Sequence, residues 1–260
     1  MKKIAVGQMN SKTLDVAYNL DKISGLVNEA ASQGAEVIVL PELCASGYRA
    51  DEAFASIAEP LSGKTVSSLA DISRGCGGIY IYTSVAEQNG EGGKPYNTAV
   101  LVNGGGALAS YRKIHLWGAE TEYFSAGSEM CAAQTPLGLT GLMICFDVSF
   151  PEAARKHALA GADALFYTFA FANPAREYAF GLLTRARALE NGCYVLAANM
   201  VGCERGTEFF GASRIIGPAG EELANAGARE GVVCADFDPE LLEATRARYP
   251  YLAVRRPDTY

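Results

Sequence analysis

The sequence predicts an α/β fold, and three observations carry that prediction. Short apolar runs bounded by glycine or proline recur along the 260 residues, amphipathic stretches of helical period lie between them, and a similar alternation appears in both halves of the chain. The first unit is the plainest. Residues 4–9 read as a strand. Val16, Leu20, Ile23, Val27 and Ala30 then recur at spacings of four and three, one buried face of a helix that Gly34 is suited to end. Residues 36–40 follow as a short buried strand stopped by Pro41.

Residues 65–75 read as a helix and 78–86 as a strand rich in isoleucine and tyrosine. Asn89-Gly90-Glu91-Gly92-Gly93 is a hairpin-type connection, and residues 97–102 and 108–112 are strands around a second one, Asn103-Gly104-Gly105-Gly106. That glycine run matches neither G-x-x-x-x-G-K-[ST] nor G-x-G-x-x-G entering a helix, so it reads as a turn and not a phosphate loop. A strand over 142–144 delivers Cys145 to its carboxyl end, and Ser149 and Pro151 supply cap and first-turn chemistry for a helix over 151–159. A strand (164–168), a helix (176–190) and a strand (194–199) follow. The last third holds strands over 212–216, 221–224 and 232–237, a turn at Gly217-Pro218-Ala219-Gly220, a helix over 239–248 and a proline-punctuated tail. No low-complexity linker or charge run marks a boundary, so residues 1–260 are expected to form one domain.

With 49% hydrophobic and 20% charged residues, the composition is that of an ordinary globular protein. A net charge of -7 argues against nucleic acid or an anionic membrane surface as the main partner and leaves small-molecule ligands. The two lysines at the amino terminus precede an apolar run too short for a signal peptide, and no stretch approaches the roughly eighteen apolar residues of a membrane span. The seven cysteines are odd in number and form no C-x-x-C pair, which favours free thiols and a cytoplasmic location. With no H-E-x-x-H and no thiolate pair at ligand spacing, neither a metal nor a cofactor is expected.

Three residues able to do chemistry directly follow predicted strands: Glu42, Lys113 and Cys145. Catalytic groups in layered α/β folds gather at the carboxyl ends of strands, so the three can converge although distant in sequence. A nucleophile on a tight strand-to-helix turn presents its side chain beside backbone N–H groups. A thiol of pKa ~8.5 is only a few per cent thiolate at neutral pH. A desolvated carboxylate of raised pKa takes its proton as sulfur attacks an electrophilic carbon, while a lysine ammonium and the N–H of Phe146 stabilise the developing oxyanion. No histidine is required, and His115 reads as a structural hydrogen-bonding residue. Position alone also permits plainer readings: Cys145 as a buried thiol, Glu42 as a loop carboxylate at a helix N-terminus, Lys113 as a solvated strand end.

Three ordered motifs resemble the signatures of the nitrilase superfamily of carbon–nitrogen hydrolases. Pro41-Glu42-Leu43-Cys44-Ala45-Ser46-Gly47-Tyr48 resembles the first, Tyr111-Arg112-Lys113-Ile114-His115-Leu116 the second, and Cys145-Phe146-Asp147 through Phe150-Pro151-Glu152 the third. The similarity runs to the closing Arg255-Arg256-Pro257-Asp258-Thr259-Tyr260.

The resemblance implies a four-layer αββα sandwich of two mixed sheets that commonly pairs into homodimers, with the C-terminal tail expected at the interface. It implies Glu42 as general base, Lys113 as oxyanion stabiliser and Cys145 as nucleophile. It also implies a second glutamate shortly after the lysine; Glu120 and Glu122 compete, and counting back from Gly127 favours Glu120. Tyr48, Trp117, Tyr123, Phe146, Phe169 and Asn173 are expected pocket walls, each equally readable as core packing. True nitrilases of the superfamily usually carry Trp-Glu after the cysteine; Phe146-Asp147 here looks more like the amidase branches. The expected activity is hydrolysis of a small aliphatic or ω-amino amide, such as 5-aminopentanamide, to a carboxylic acid and ammonia through a thioester. Nitrile or N-carbamoyl hydrolysis (with Arg176 the nearest anchor), acyl transfer to an amine, and a non-catalytic nitrilase-like binding protein are the alternatives.

Overall fold

The computed structural model describes residues 1–90 and 92–259. In chain order the elements are β1 (Lys2–Gln8), α1 (Val16–Ser32), β2 (Ala35–Val39), α2 (Phe54–Ile57), α3 (Lys64–Gly75), β3 (Tyr80–Glu87), β4 (Tyr96–Asn103), β5 (Gly106–Arg112), α4 (Glu120–Tyr123), β6 (Cys131–Thr135) and β7 (Gly138–Ile144). There follow α5 (Pro151–Leu159), β8 (Ala164–Phe169), α6 (Glu177–Leu189), β9 (Tyr194–Asn199), β10 (Val201–Glu204), β11 (Thr207–Phe210), β12 (Arg214–Ile216), β13 (Glu222–Asn225), β14 (Gly231–Phe237) and α7 (Pro239–Arg248). Two six-stranded mixed sheets result, ordered β14-β1-β2-β3-β4-β5 and β13-β12-β9-β8-β7-β6. In each, three central strands are parallel, β1-β2-β3 and β7-β8-β9, and the flanking pairs are antiparallel.

The alternation of side chains along the strands explains the layers. In the first sheet Ile4, Val6, Val37, Val39, Tyr82 and Leu101 share one core with Leu142, Ile144, Tyr167 and Leu196 of the second. The intervening residues Ala5, Ile38, Ile81 and Val100 face the other way, onto Ile23 and Val27 of α1 and Val66 and Leu69 of α3. Helices α5 and α6 contribute Ala154, Ala158, Phe180 and Ala188 to the second sheet. Both faces of the central strands are therefore dry, which is why those strands read as unbroken apolar runs. The Tyr82 hydroxyl donates to the Met143 carbonyl at 3.0 Å and ties sheet to sheet. The αββα sandwich expected from the sequence is present.

Some local features depart from the sequence reading. Ser149 does not cap α5: a 3-10 turn over Cys145–Ser149 intervenes, and Phe150 occupies the cap position with no side-chain bond, leaving Pro151 at the first helical turn as expected. The helix expected at 176–190 begins as a 3-10 turn, Pro174–Arg176, whose N-terminal Ala175 amide is capped by the Asn173 side chain at 3.1 Å. The β10–β11 hairpin had no sequence prediction, because its two-residue turn is Arg205-Gly206 with φ of 44° and 80°, and arginine is not the asparagine or aspartate that signals such turns. Edge strand β6 was also missed; its small and polar residues give little apolar signal. Glu91, inside the expected Asn89–Gly93 connection, and Tyr260, at the end of the tail, lie outside the described residues. Among the described residues no helix is long and apolar enough to cross a membrane.

Gly127 shows how tightly the fold constrains the segment that carries Lys113. Its amide donates to the Lys113 carbonyl at 2.8 Å, and an added Cβ would lie 2.3 Å from the Arg112 carbonyl oxygen. Gly127→Ala is expected to lose about 1–3 kcal/mol of stability. Urea denaturation checks this; an unchanged midpoint would contradict the packing described.

Candidate active site

The functional side chains collect at the carboxyl ends of strands from both sheets. β5 runs parallel to β2 and β3, being two antiparallel steps from β3, so Glu42 beyond β2 and Lys113 beyond β5 emerge on the same side of the first sheet. Cys145 follows β7 and Ala170 follows β8 in the second. The chain beyond β2 is bound to both sheets: the Leu40 amide donates to the Tyr82 carbonyl at 2.8 Å, Glu42 to the Phe169 carbonyl at 3.1 Å, and Leu43, at φ 50°, to the Ser84 hydroxyl at 2.9 Å.

Lys113 is fully buried, and its Nζ donates at 2.7 Å to both Glu42 Oε1 and Glu120 Oε1. Glu42, also fully buried, accepts from Asn97 Nδ2 at 2.8 Å through Oε1 and from the Ala170 amide at 2.9 Å through Oε2. Glu120 accepts from the Tyr48 hydroxyl and, through Oε2, the Trp117 amide, both at 2.8 Å. Of the two competing glutamates, Glu120 enters the cluster and Glu122 is exposed. Burial pushes the Glu42 carboxyl above its ordinary range, and Lys113 only partly offsets this. Burial alone would lower Lys113, but Glu120 and Glu42 more than reverse it and keep the ammonium charged. Burial and then Glu120 raise Tyr48 far above its usual value, so its hydroxyl stays a donor.

Cys145 is 7% exposed and sits at φ 42°, a strained conformation for a residue with a side chain. Asp147 holds that turn. Its Oδ2 accepts from the Ile144 amide at 2.9 Å and the Tyr111 hydroxyl at 2.8 Å, while Oδ1 lies 2.7 Å from His115 Nδ1. His115 thus ties the lysine segment to the cysteine turn, consistent with the structural role expected of it. Burial and then Glu42 raise the Cys145 thiol, with Lys113 acting against them. The resting group is accordingly the thiol, and reaction requires an acceptor for its proton.

A cavity of about 430 Å³ opens beside this cluster. Tyr48, Trp117, Tyr123, Asn173 and Phe146, all expected as pocket walls, line it with Cys145 and Glu120. Phe169 does not. It is fully buried in the second sheet, edge-on to Phe180 at 4.9 Å, and it serves the site through its backbone carbonyl. The alternation along β8 decides this, since consecutive residues point to opposite faces and both faces are core. Asn97 and Asp147 had no expected role; a buried amide inside an apolar strand and a carboxylate two residues beyond the cysteine were the available signals. Among the described residues no group of three histidine, cysteine or acidic side chains is placed to hold a metal ion.

Comparison with known proteins follows the same lines as the geometry. The carbon–nitrogen hydrolase family model matches residues 3–247. A probable nitrilase of Schizosaccharomyces pombe is 35% identical over 99% of this chain and 96% of its own length. An omega-amidase of Xenopus tropicalis is 35% identical over 93% of this chain and 91% of its own. A solved structure of the amidase from Nesterenkonia sp. AN1, a glutamate-to-glutamine variant, superimposes with a TM-score of 0.85 at 31% identity, covering 99% of this chain and 95% of that one; it carries the acetamide moiety of fluoroacetamide on its active-site cysteine.

Replacing Lys113 by methionine leaves two buried carboxylates with no counter-ion. Lys113→Met is expected to lose about 3–5 kcal/mol at pH 7. Carboxyls whose folded pKa lies above the unfolded one cost stability above that unfolded value, and the cost disappears as pH falls and both states protonate. Urea denaturation should therefore show a smaller loss at pH 5 than at pH 7; an equal or greater loss at pH 5 would refute the electrostatic account.

Proposed function

The chain belongs to the carbon–nitrogen hydrolase family, the nitrilase superfamily, and from that premise we propose that it hydrolyses a small linear amide to a carboxylic acid and ammonia through a cysteine thioester. The observation that carries this reading is a buried carboxylate–ammonium–carboxylate cluster, Glu42–Lys113–Glu120, at 2.7 Å spacings beside a buried thiol that lines an open cavity. Cys145 Sγ bonds to the amide carbon as its proton passes to Glu42, and the carbonyl electron pair moves onto oxygen. Lys113 and the Phe146 N–H hold the resulting oxyanion. Its collapse breaks the C–N bond, and Glu42 returns the proton to nitrogen as ammonia leaves. Water then attacks the thioester and gives its proton to Glu42. The second collapse expels sulfur, which recovers that proton, and the acid departs. The raised carboxyl of Glu42 suits it to carry a proton both ways.

Phe146-Asp147 after the cysteine supports an amide over a nitrile, as do the names of the omega-amidase and amidase relatives. The cavity supports a charged acyl chain, and of the opposite sign to the ω-amino expectation. Arg176 lies 5.2 Å from the Trp117 ring and 4.9 Å from that of Phe171, and its guanidinium completes no ion pair among the described residues. Arg49, by contrast, is taken up by Asp51 at 3.1 Å and by Thr207. Of the two carboxylates that line the cavity among the described residues, Asp51 is shared between Arg49 and Arg205 and Glu120 is bound by Lys113, so neither is spare for an ammonium tail. A carboxylate tail is the better match. The seven free cysteines favour a reducing cytoplasm, and exposed apolar side chains on α6 (Tyr178, 80% exposed, and Leu182) and in the tail (Tyr249 and Tyr251) support a homodimer of this single-domain chain.

Ammonia release is to be measured from neutral, ω-amino, ω-carboxy and N-carbamoyl amides and from matched nitriles. Turnover of ω-carboxy amides is expected, with none from nitriles, and folded Cys145→Ala should be inert; full activity in that variant would sink the mechanism. Arg176→Met should lose about 10- to 100-fold in kcat/KM on ω-carboxy amides, the worth of one hydrogen bond to a charged group, with neutral amides little affected. A preference for ω-amino amides would refute the carboxylate assignment.

A further inference from the structure

Glu204 is a buried carboxylate, 3% exposed, that plays no part in the mechanism above. It ends β10 and reaches under the loop that carries Tyr48. Its Oε2 accepts from the Arg49 amide at 2.9 Å, and its Oε1 completes no hydrogen bond among the described residues. Gly47 makes this approach possible: at φ 82°, a Cβ there would lie 3.3 Å from Glu204 Oε1 and 2.8 Å from Thr13 Cα.

The loop needs such a tie. Leu43, Gly47 and Asp51 all have positive φ within nine residues, a backbone that persists only when its surroundings hold it. The β10–β11 hairpin supplies the holding groups: Glu204 to the Arg49 amide, Thr207 to the Arg49 guanidinium, and Arg205 to Asp51 at 3.8 Å. Tyr48 is fixed between them and the reacting cluster, its hydroxyl 2.8 Å from the same Glu120 Oε1 that receives Lys113. One backbone amide and one side chain thus separate Glu204 from the catalytic lysine's second carboxylate.

We propose that Glu204 is a positioning residue for the reaction: its ionised carboxylate anchors the Tyr48-Arg49 peptide and so keeps the Tyr48 hydroxyl on Glu120. An ionised acceptor binds an amide roughly twice as strongly as a neutral one, so protonation slackens the anchor. The groups that act on Glu204 are the Arg49 and Tyr48 amides and the Arg49 guanidinium from the loop, Thr13 from the N-terminal segment, and Cys44, whose thiol it raises; Lys12, Tyr18, Cys203 and Arg205 line the same surface depression. Burial dominates among these influences and pushes the carboxyl up to about 7, against the pull of the Arg49 and Tyr48 amides. The charge is therefore present at alkaline pH and lost as pH falls through 7, and activity should fall with it.

The inference rests on the amide-hydrolase reading, and its test separates the two. The pH profiles of kcat and KM on the best amide are compared for wild type, Glu204→Gln, Tyr48→Phe and the double variant, each checked for folding by its thermal transition. Glu204→Gln is expected to lose about ten-fold in kcat at pH 8, within the range for a hydrogen bond to a charged group, with KM changed far less and the acid limb near pH 7 gone. On the Tyr48→Phe background the same change should add little, because the two act through one contact. Wild-type kinetics in Glu204→Gln, a retained limb near 7, or losses that simply multiply would overturn the proposal. If Glu204→Gln does not fold, Glu204→Asp, too short to reach the Arg49 amide, replaces it in the cycle with the same expected loss. Iodoacetamide alkylation of Cys145, read by mass spectrometry, supplies the second readout. A wild-type protein inert toward every amide, whose alkylation rate nevertheless follows Glu204 and Tyr48 in this way, would overturn only the hydrolase reading; amide turnover with both readouts indifferent to Glu204 would overturn only the positioning role.

Discussion

A single ammonium group shared by two carboxylates, out of water, is the interaction on which the rest of this structure depends. Taking three charges from water costs several kcal/mol per ion, and their attraction compensates only where geometry is near ideal and the remaining lone pairs are satisfied. Both conditions hold here. Lys113 sits 2.7 Å from each partner, and the outer oxygens of Glu42 and Glu120 accept from the Ala170 and Trp117 amides. The cluster carries one positive and two negative groups, which is why burial leaves Glu42 inclined to hold a proton and Lys113 unable to lose one. A base poised in this way beside a neutral thiol is the arrangement that acyl transfer through cysteine requires.

Meeting those conditions requires backbone from five places, and the two face-packed sheets bring them together. Parallel central strands in both sheets end at the site, so the segments beyond β2, β5, β7 and β8, with Asn97 of β4, all border it. The sandwich interior between them excludes water. Strain collects where the segments turn: Leu43 and Cys145 have φ of 50° and 42°, and Asn173, on the cavity wall, has 70°. The Ser84 hydroxyl holds Leu43, the Glu208 carbonyl accepts from the Asn173 amide, and Tyr111 and His115 reach the cysteine turn through Asp147. The β10–β11 hairpin ties the loop bearing Tyr48.

The buried charge cluster and the cavity beside it are built from different kinds of segment. The reacting cluster is buried and built from strand ends, whereas the cavity above it is walled by connecting segments: the loop bearing Tyr48 and Arg49, the stretch around Trp117 and α4, and the approach to α6 with Asn173 and Arg176. Changes in these segments alter the charge and shape of the cavity without disturbing the lysine and its carboxylates. The guanidinium of Arg176, over the Trp117 and Phe171 rings and in no ion pair among the described residues, is a clear element of this kind.

Much of this was determined by the sequence. Apolar runs and helical spacing fixed the α/β class and most element boundaries within two residues, because strands dry on both faces must be continuously apolar. Three motifs, each at a strand end, singled out Glu42, Lys113 and Cys145, three residues distant in sequence that the fold brings to one place. Pairing and burial decided the rest. Counting back from Gly127 already favoured Glu120 over Glu122, and the structure supplies the reason: the α4 turn aims Glu120 at a lysine seven residues earlier. Only tertiary structure sent Phe169 into the core, brought Asn97 and Asp147 to the site, and folded Arg205-Gly206 into a hairpin turn. A local pattern specifies which face of its own element a residue occupies; the partners that satisfy a buried charge come from residues as far apart as 42, 113 and 170, and only their convergence in space reveals them.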